Sequence, residues 1–201
     1  MTTSLPNLLT YARIALVPAV VAVYPLWGHG GHWAAFAIFV IASVTDFLDG
    51  YLARAWQQQS ALGRMLDPIA DKLLVAAVLL VLAADGTLQG AALWAALVIL
   101  CREILVSGLR EYLAALKVSV PVSQLAKWKT AIQMVALALI LLGPAGDALI
   151  PGTSLVGLVL LWVAAILTLY TGYDYFRAGI RHAVAEDQSA ADAPVSAETE
   201  R

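Results

Sequence analysis

The 201-residue chain is 61% hydrophobic and 13% charged, with a formal net charge of −2; a soluble domain is roughly 45–50% apolar and about 25% charged. A mean hydropathy of +0.81 agrees. This composition excludes a nucleic-acid-binding domain, a disordered regulator and an ordinary cytosolic enzyme, and leaves a polytopic membrane protein. The single cysteine, Cys101, excludes an intramolecular disulfide and a zinc knuckle.

In chain order, residues 1–11 lack a basic segment ahead of Arg13, and no small-x-small site follows the apolar run, so they do not read as a cleaved signal peptide. Ser4 can cap a short helix with Pro6 in its first turn. Leu5, Leu8, Leu9 and Ala12 would share one side of it. This fits a short N-terminal interfacial helix; the alternative is a plain extension of the first span. Apolar stretches follow near residues 10–27, 33–53, 68–84, 91–113, 125–142 and 155–175. A crossing needs about 20 residues. The runs are Ala/Leu-rich and lack period-2 alternation, which predicts an all-α fold with six transmembrane helices.

The connections 28–32, 85–90 and 143–153 contain no Lys or Arg, and every base lies toward the other ends. The positive-inside bias therefore predicts both termini in the cytoplasm, with the loops 55–66 and 113–124. Residues 1–182 read as the membrane domain. Residues 183–201 carry five acids and one base, with no periodic apolar face, and read as a disordered acidic cytoplasmic tail.

The informative stretch is 46–71, DFLDGYLARAWQQQSALGRMLDPIAD. Asp46 and Asp49 are three residues apart, and Asp67 and Asp71 four, so each pair shares a helical face. Asp46 is eight residues before Arg54, about 12 Å of helix. An ionised Asp at a helix centre costs about 2.5–3.5 kcal/mol on insertion scales, and four such groups also repel one another. Protons, bases or metal ions must compensate. An all-oxygen cluster without His or Cys suits Mg²⁺ or Mn²⁺ rather than Zn²⁺. Two such ions can clamp the attacking and leaving oxygens of a phosphoryl displacement. That chemistry at a membrane interface points to a phosphate-bearing lipid substrate. Plainer roles stand beside it. Asp67 before Pro68 is a good helix cap, Asp71 can pair with Lys72 or a neighbouring Arg, and intramembrane acids also serve ion or proton pathways.

With its neighbours the stretch reads Asp46-x2-Asp49-Gly50-x2-Ala53-Arg54-x8-Gly63-x3-Asp67-x3-Asp71. It resembles the signature of the CDP-alcohol phosphatidyltransferases at all eight fixed identities and every spacing. The segments Leu5-Pro6-Asn7-Leu8-Leu9-Thr10, Arg102-Glu103-Ile104, Gly108-Leu109-Arg110-Glu111 and Lys127-x-Lys129-Thr130 are similar to bacterial members whose acceptor is sn-glycerol 3-phosphate. The similarity runs from about residue 5 to residue 180.

The resemblance implies a six-helix enzyme of the bacterial inner membrane, usually a homodimer. Such an enzyme moves a phosphatidyl group from CDP-diacylglycerol to an alcohol and releases CMP, with two divalent ions and no nucleic acid. It implies metal ligation by Asp46, Asp49, Asp67 and Asp71, and a general-base role for Asp71. It also implies CDP-diacylglycerol binding by Asp49, Gly50, Ala53, Arg54 and Gly63. Small residues at 50 and 53 leave room for a base or ribose, although they equally serve helix packing. Arg54 can fork onto diphosphate oxygens or mark the membrane boundary. Gly63 suits a close approach or unusual dihedrals where the loop enters the third helix.

The acceptor's own phosphate needs a basic pocket. Arg110, Lys127 and Lys129 are the candidates, against a plain positive-inside role. Arg102 and Glu103 read as a buried structural pair. His29, His32 and the tryptophans fall near span ends and carry no chemistry, and Cys101 reads as a packing residue. Two rival functions remain. One is the same chemistry on inositol phosphate, serine or phosphatidylglycerol. The other is a cation channel or transporter, which the apolar outer halves of the helices disfavour.

Overall fold

The computed structural model describes residues 5–26, 28–55, 61–116, 118 and 124–191; within these ranges, the side chains of residues 5, 6, 47, 49–55, 61, 62, 64, 174, 178 and 182–191 are not described. Among the described residues all regular structure is helical: α1 (Leu5–Val23), α2 (His29–Ala55), α3 (Ala61–Ala84), α4 (Ala91–Ala115), α5 (Gln124–Asp147) and α6 (Thr153–Ala191). Each predicted apolar stretch falls on a separate helix. Three segments are long and apolar enough to cross a membrane: Ala91–Ala115, Gln124–Asp147 and Thr153–Arg181. Large apolar side chains on the outside, such as Leu80, Trp94, Ile104 and Ile166, match a multi-pass protein whose solvent is lipid.

Two helix ends differ from expectation. α1 is one unbroken helix from Leu5, so no separate N-terminal helix precedes it among the described residues, and Ser4 lies outside them. α6 continues to Ala191, through the first nine residues of the stretch expected to be disordered. Ala183, Ala185, Ala190 and Ala191 have the highest helix propensity of any residue type, which favours continuation. Residues 192–201 lie outside the described residues.

The packing sets the site. α1 lies against both α2 and α3, α2 against α5, and α6 against α4 and α5. Phe39, Leu74, Leu82, Ile99, Leu137 and Leu161 are among the buried residues of the central core. Glycines let the helices close in. A Cβ on Gly157 of α6 would lie 2.8 Å from Ile140 Cγ1 of α5.

α5 breaks at Gly143, where φ is +46° just before Pro144. His32 Nδ1 lies 3.0 Å from the Leu141 carbonyl oxygen beside that break. The Tyr24 ring packs edge-on against His32, with centroids 4.8 Å apart. His32 therefore ties α2 to α5. Cys101, expected to pack inside, is exposed on α4.

Candidate active site

α1 reaches both acidic helices. Thr10 and Arg13 stand three residues apart on it and are almost fully buried, at 1% and 0% exposure. Arg13 Nη1 lies 2.5 Å from Asp46 Oδ1 on α2. Thr10 Oγ1 donates to Asp67 Oδ1 on α3 at 2.5 Å. Asp67 is inside α3, which begins at Ala61, so it is not a helix cap despite preceding Pro68. Lys72 Nζ donates to the Pro68 carbonyl at 2.9 Å.

Two cavities meet at Asp71. A polar one of about 380 Å³ is enclosed by α3, α4, α5 and α6, with Asp71, Lys72, Glu103, Arg110, Lys129 and Tyr175 on its walls. An apolar groove of about 780 Å³ runs between α2 and α5, past Phe39, Val44, Met134 and Val135 to Asp46 and Asp71. Asp71, Ala126 and Thr130 line both. A carboxylate thus stands on the wall common to a polar cavity and an apolar groove.

The polar cavity is not uniformly basic. Lys129 is buried and forms an ion pair with Glu103. Arg102 Nη1 approaches the same Glu103 oxygen at 3.5 Å. Arg102 Nε donates to the Thr168 carbonyl at 3.1 Å, and Nη2 to Thr171 Oγ1 at 3.0 Å. Gly172 makes room for it, since a Cβ there would lie 3.2 Å from Arg102 Cγ and Nε. Arg110 faces a phenol instead. Its Nη2 donates to the Tyr175 hydroxyl at 3.3 Å, and its guanidinium carbon lies 5.7 Å from the Tyr175 ring centroid. Arg110 can therefore offer its remaining N–H groups to an anion.

Several expected site residues come together. Asp46 and Asp71 share the groove, and Asp71, Arg110 and Lys129 share the polar cavity. Lys127 does not join Arg110 and Lys129; it lines the groove. Asp67 is turned to Thr10. Gly63 is buried in the first turn of α3, in helical backbone without the positive φ that would call for glycine. Asp49, Gly50, Ala53 and Arg54 lie on the last turns of α2, and their side chains are outside the described residues. The expected Arg102–Glu103 pair is present and is joined by Lys129.

Sequence reasoning missed Arg13, Thr10 and Tyr175. The available signal was the i, i+3 spacing of Thr10 and Arg13, a polar stripe on an otherwise apolar helix. Among the described residues, no three acidic, His or Cys side chains meet as a ready cation cage. The donors present are carboxylate oxygens without His or Cys, a set that fits Mg²⁺ or Mn²⁺.

Residues 3–170 match the family model of the CDP-alcohol phosphatidyltransferases. Over 175 residues the chain is 49% identical to a Rickettsia bellii protein named CDP-diacylglycerol–glycerol-3-phosphate 3-phosphatidyltransferase, covering 87% of this chain and 94% of that one. A Cereibacter sphaeroides protein of the same name is 39% identical over 212 residues, covering 88% and 96%. One from Shigella flexneri is 41% identical over 177 residues, covering 87% and 94%.

Proposed function

Because the chain belongs to the CDP-alcohol phosphatidyltransferase family, we propose that it transfers the phosphatidyl group of CDP-diacylglycerol to sn-glycerol 3-phosphate, giving phosphatidylglycerophosphate and CMP. The relatives named for this reaction match nearly their whole length. The observation that carries the reading is the position of Asp71, between a basic cavity and an apolar groove.

The groove takes the acyl chains of the donor, with Asp46 at its polar end. Asp49, Gly50, Ala53, Arg54 and Gly63 form the CDP side. The polar cavity takes the acceptor, whose phosphate docks on Arg110. Lys129 contributes to the cavity's field through Glu103, and Lys127 stands on the groove side. Asp71 takes the proton of an acceptor hydroxyl. The hydroxyl oxygen forms a bond to the lipid-side phosphorus, and the bond from that phosphorus to the CMP oxygen breaks. Asp46, Asp49, Asp67 and Asp71 would hold two divalent ions, Mg²⁺ or Mn²⁺. Bound there, they would neutralise diphosphate charge and lower the acceptor hydroxyl's pKa.

The same proposal includes six crossings of a bacterial inner membrane with both ends cytoplasmic, supported by the base-free connections 28–32, 85–90 and 143–153. A homodimer follows from the family resemblance alone.

The test is CMP release by the purified full chain in detergent. Release should require both CDP-diacylglycerol and glycerol 3-phosphate, stop with chelator, and return with Mg²⁺ or Mn²⁺. Activity with serine or inositol phosphate but not glycerol 3-phosphate would move the acceptor assignment. No CMP release with any acceptor would remove the activity.

A further inference from the structure

Asp46 sits within α2 and borders an apolar groove, yet 43% of its side chain is exposed there. A carboxylate in such surroundings stays ionised more readily with a counter-charge beside it, before a divalent ion arrives as well as after. Arg13 is placed to supply it. Its side chain has 0% exposure and its Nη1 lies 2.5 Å from Asp46 Oδ1. It rises from α1, which packs against both α2 and α3. A guanidinium does not lose its proton in a protein, and a fully enclosed one cannot swing into solvent. A second α1 contact to this acidic pair of helices is neutral: the Thr10 hydroxyl donates to Asp67. α1 therefore brings a fixed positive charge to the α2 side and a hydroxyl dipole to the α3 side.

We infer that Arg13 is the resident counter-cation of Asp46, balancing that carboxylate in the metal-free protein and competing electrostatically with a divalent ion for it. The inference rests on the reading above that these aspartates bind such ions. It gives Arg13 a positioning role outside the transfer step. It also sets a sign opposite to that of a metal-site scaffold: removing the charge should tighten ion binding while weakening the ion-free fold.

The test uses the full chain in detergent and Mn²⁺ alone, with bound and free ion separated by electron paramagnetic resonance. Arg13→Met keeps an unbranched side chain and removes the charge. It should bind Mn²⁺ about tenfold more tightly. Its unfolding temperature should fall without the ion and recover when the ion is saturating. Arg13→Lys should bind within about twofold of the parent, since the charge remains. A folded Arg13→Met that binds Mn²⁺ no more tightly than the parent overturns the inference. If Arg13→Met does not fold, the Arg13→Met/Asp46→Asn double variant decides. Recovered folding supports charge balance, and continued failure makes Arg13 a packing residue and sinks the proposal. A parent that takes up no Mn²⁺, and whose CMP release survives chelator, removes the ion reading itself and this inference with it.

Discussion

The ammonium of Lys129 is paired with the carboxylate of Glu103, a contact that joins α5 to α4 in the wall of the cavity that Asp71 and Arg110 also line. Lys129 is 3% exposed, so its charge is held away from bulk water by design of the packing. Removing one partner of such a pair costs about 3–5 kcal/mol, whereas replacing both by apolar groups is often neutral. Glu103→Gln should therefore lower thermal stability strongly, and Glu103→Gln/Lys129→Met should regain much of it. A double-mutant cycle on unfolding in detergent measures the coupling, expected at about 1–3 kcal/mol. Additive losses would mean that the two charges act independently.

Arg110 has a different job from Lys129, because its partner among the described residues is the neutral Tyr175 phenol and not a carboxylate. Arg110→Lys keeps a cation but loses the planar fork and the ring contact. The KM for glycerol 3-phosphate should rise about tenfold, equivalent to about 1.4 kcal/mol. The KM for CDP-diacylglycerol should stay within about twofold, since the groove proposed for that substrate lies on the other side of Asp71. Steady-state kinetics with each substrate varied in turn checks this. Equal rises in both would mean that Arg110 serves the site as a whole.

The helices were legible in the sequence because lipid leaves a backbone no partner but itself. Long uncharged runs could hardly be anything else. The four aspartates stood out for the same reason, since acids in such runs demand an explanation. What sequence reasoning could not supply was facing. Lys127 and Lys129 are two residues apart, so they point to nearly opposite sides of α5. The packing of α5 against both α2 and α6 turns Lys129 inward and Lys127 to the groove. Arg13 entered the sequence reading only as one of the bases that orient the helices. Its partner is 33 residues away, and only the contact of α1 with α2 brings them together. The tail was misjudged over 183–191 because net charge and the lack of an apolar face hid a run of good helix formers.

Asp71 is the one described acid that borders both cavities. Asp71→Asn keeps the shape and removes the base and the charge. CMP release should drop about a thousandfold or more even at saturating Mg²⁺, in keeping with loss of a group acting directly on the reacting atoms. Circular dichroism and the unfolding temperature of the variant should stay close to the parent's, because among the described residues half-buried Asp71 joins no ion pair and the carboxamide keeps its shape. Retained turnover in a folded variant would remove Asp71 from the chemistry.

The groove makes its own prediction, through a small residue on its wall. Ala131 of α5 lines it beside Met134 and Val135. Ala131→Phe adds an aromatic ring to that wall without touching the polar cavity, whose walls do not include Ala131. If acyl chains lie in the groove, the ring competes with them. A CDP-diacylglycerol with long chains should then show a KM about tenfold higher than with the parent, while a short-chain analogue should lose about twofold or less. The KM for glycerol 3-phosphate should not move with either donor. A variant that slows both donors equally would show that the chains lie elsewhere, because a filled hydrocarbon slot can only discriminate against the molecule long enough to enter it.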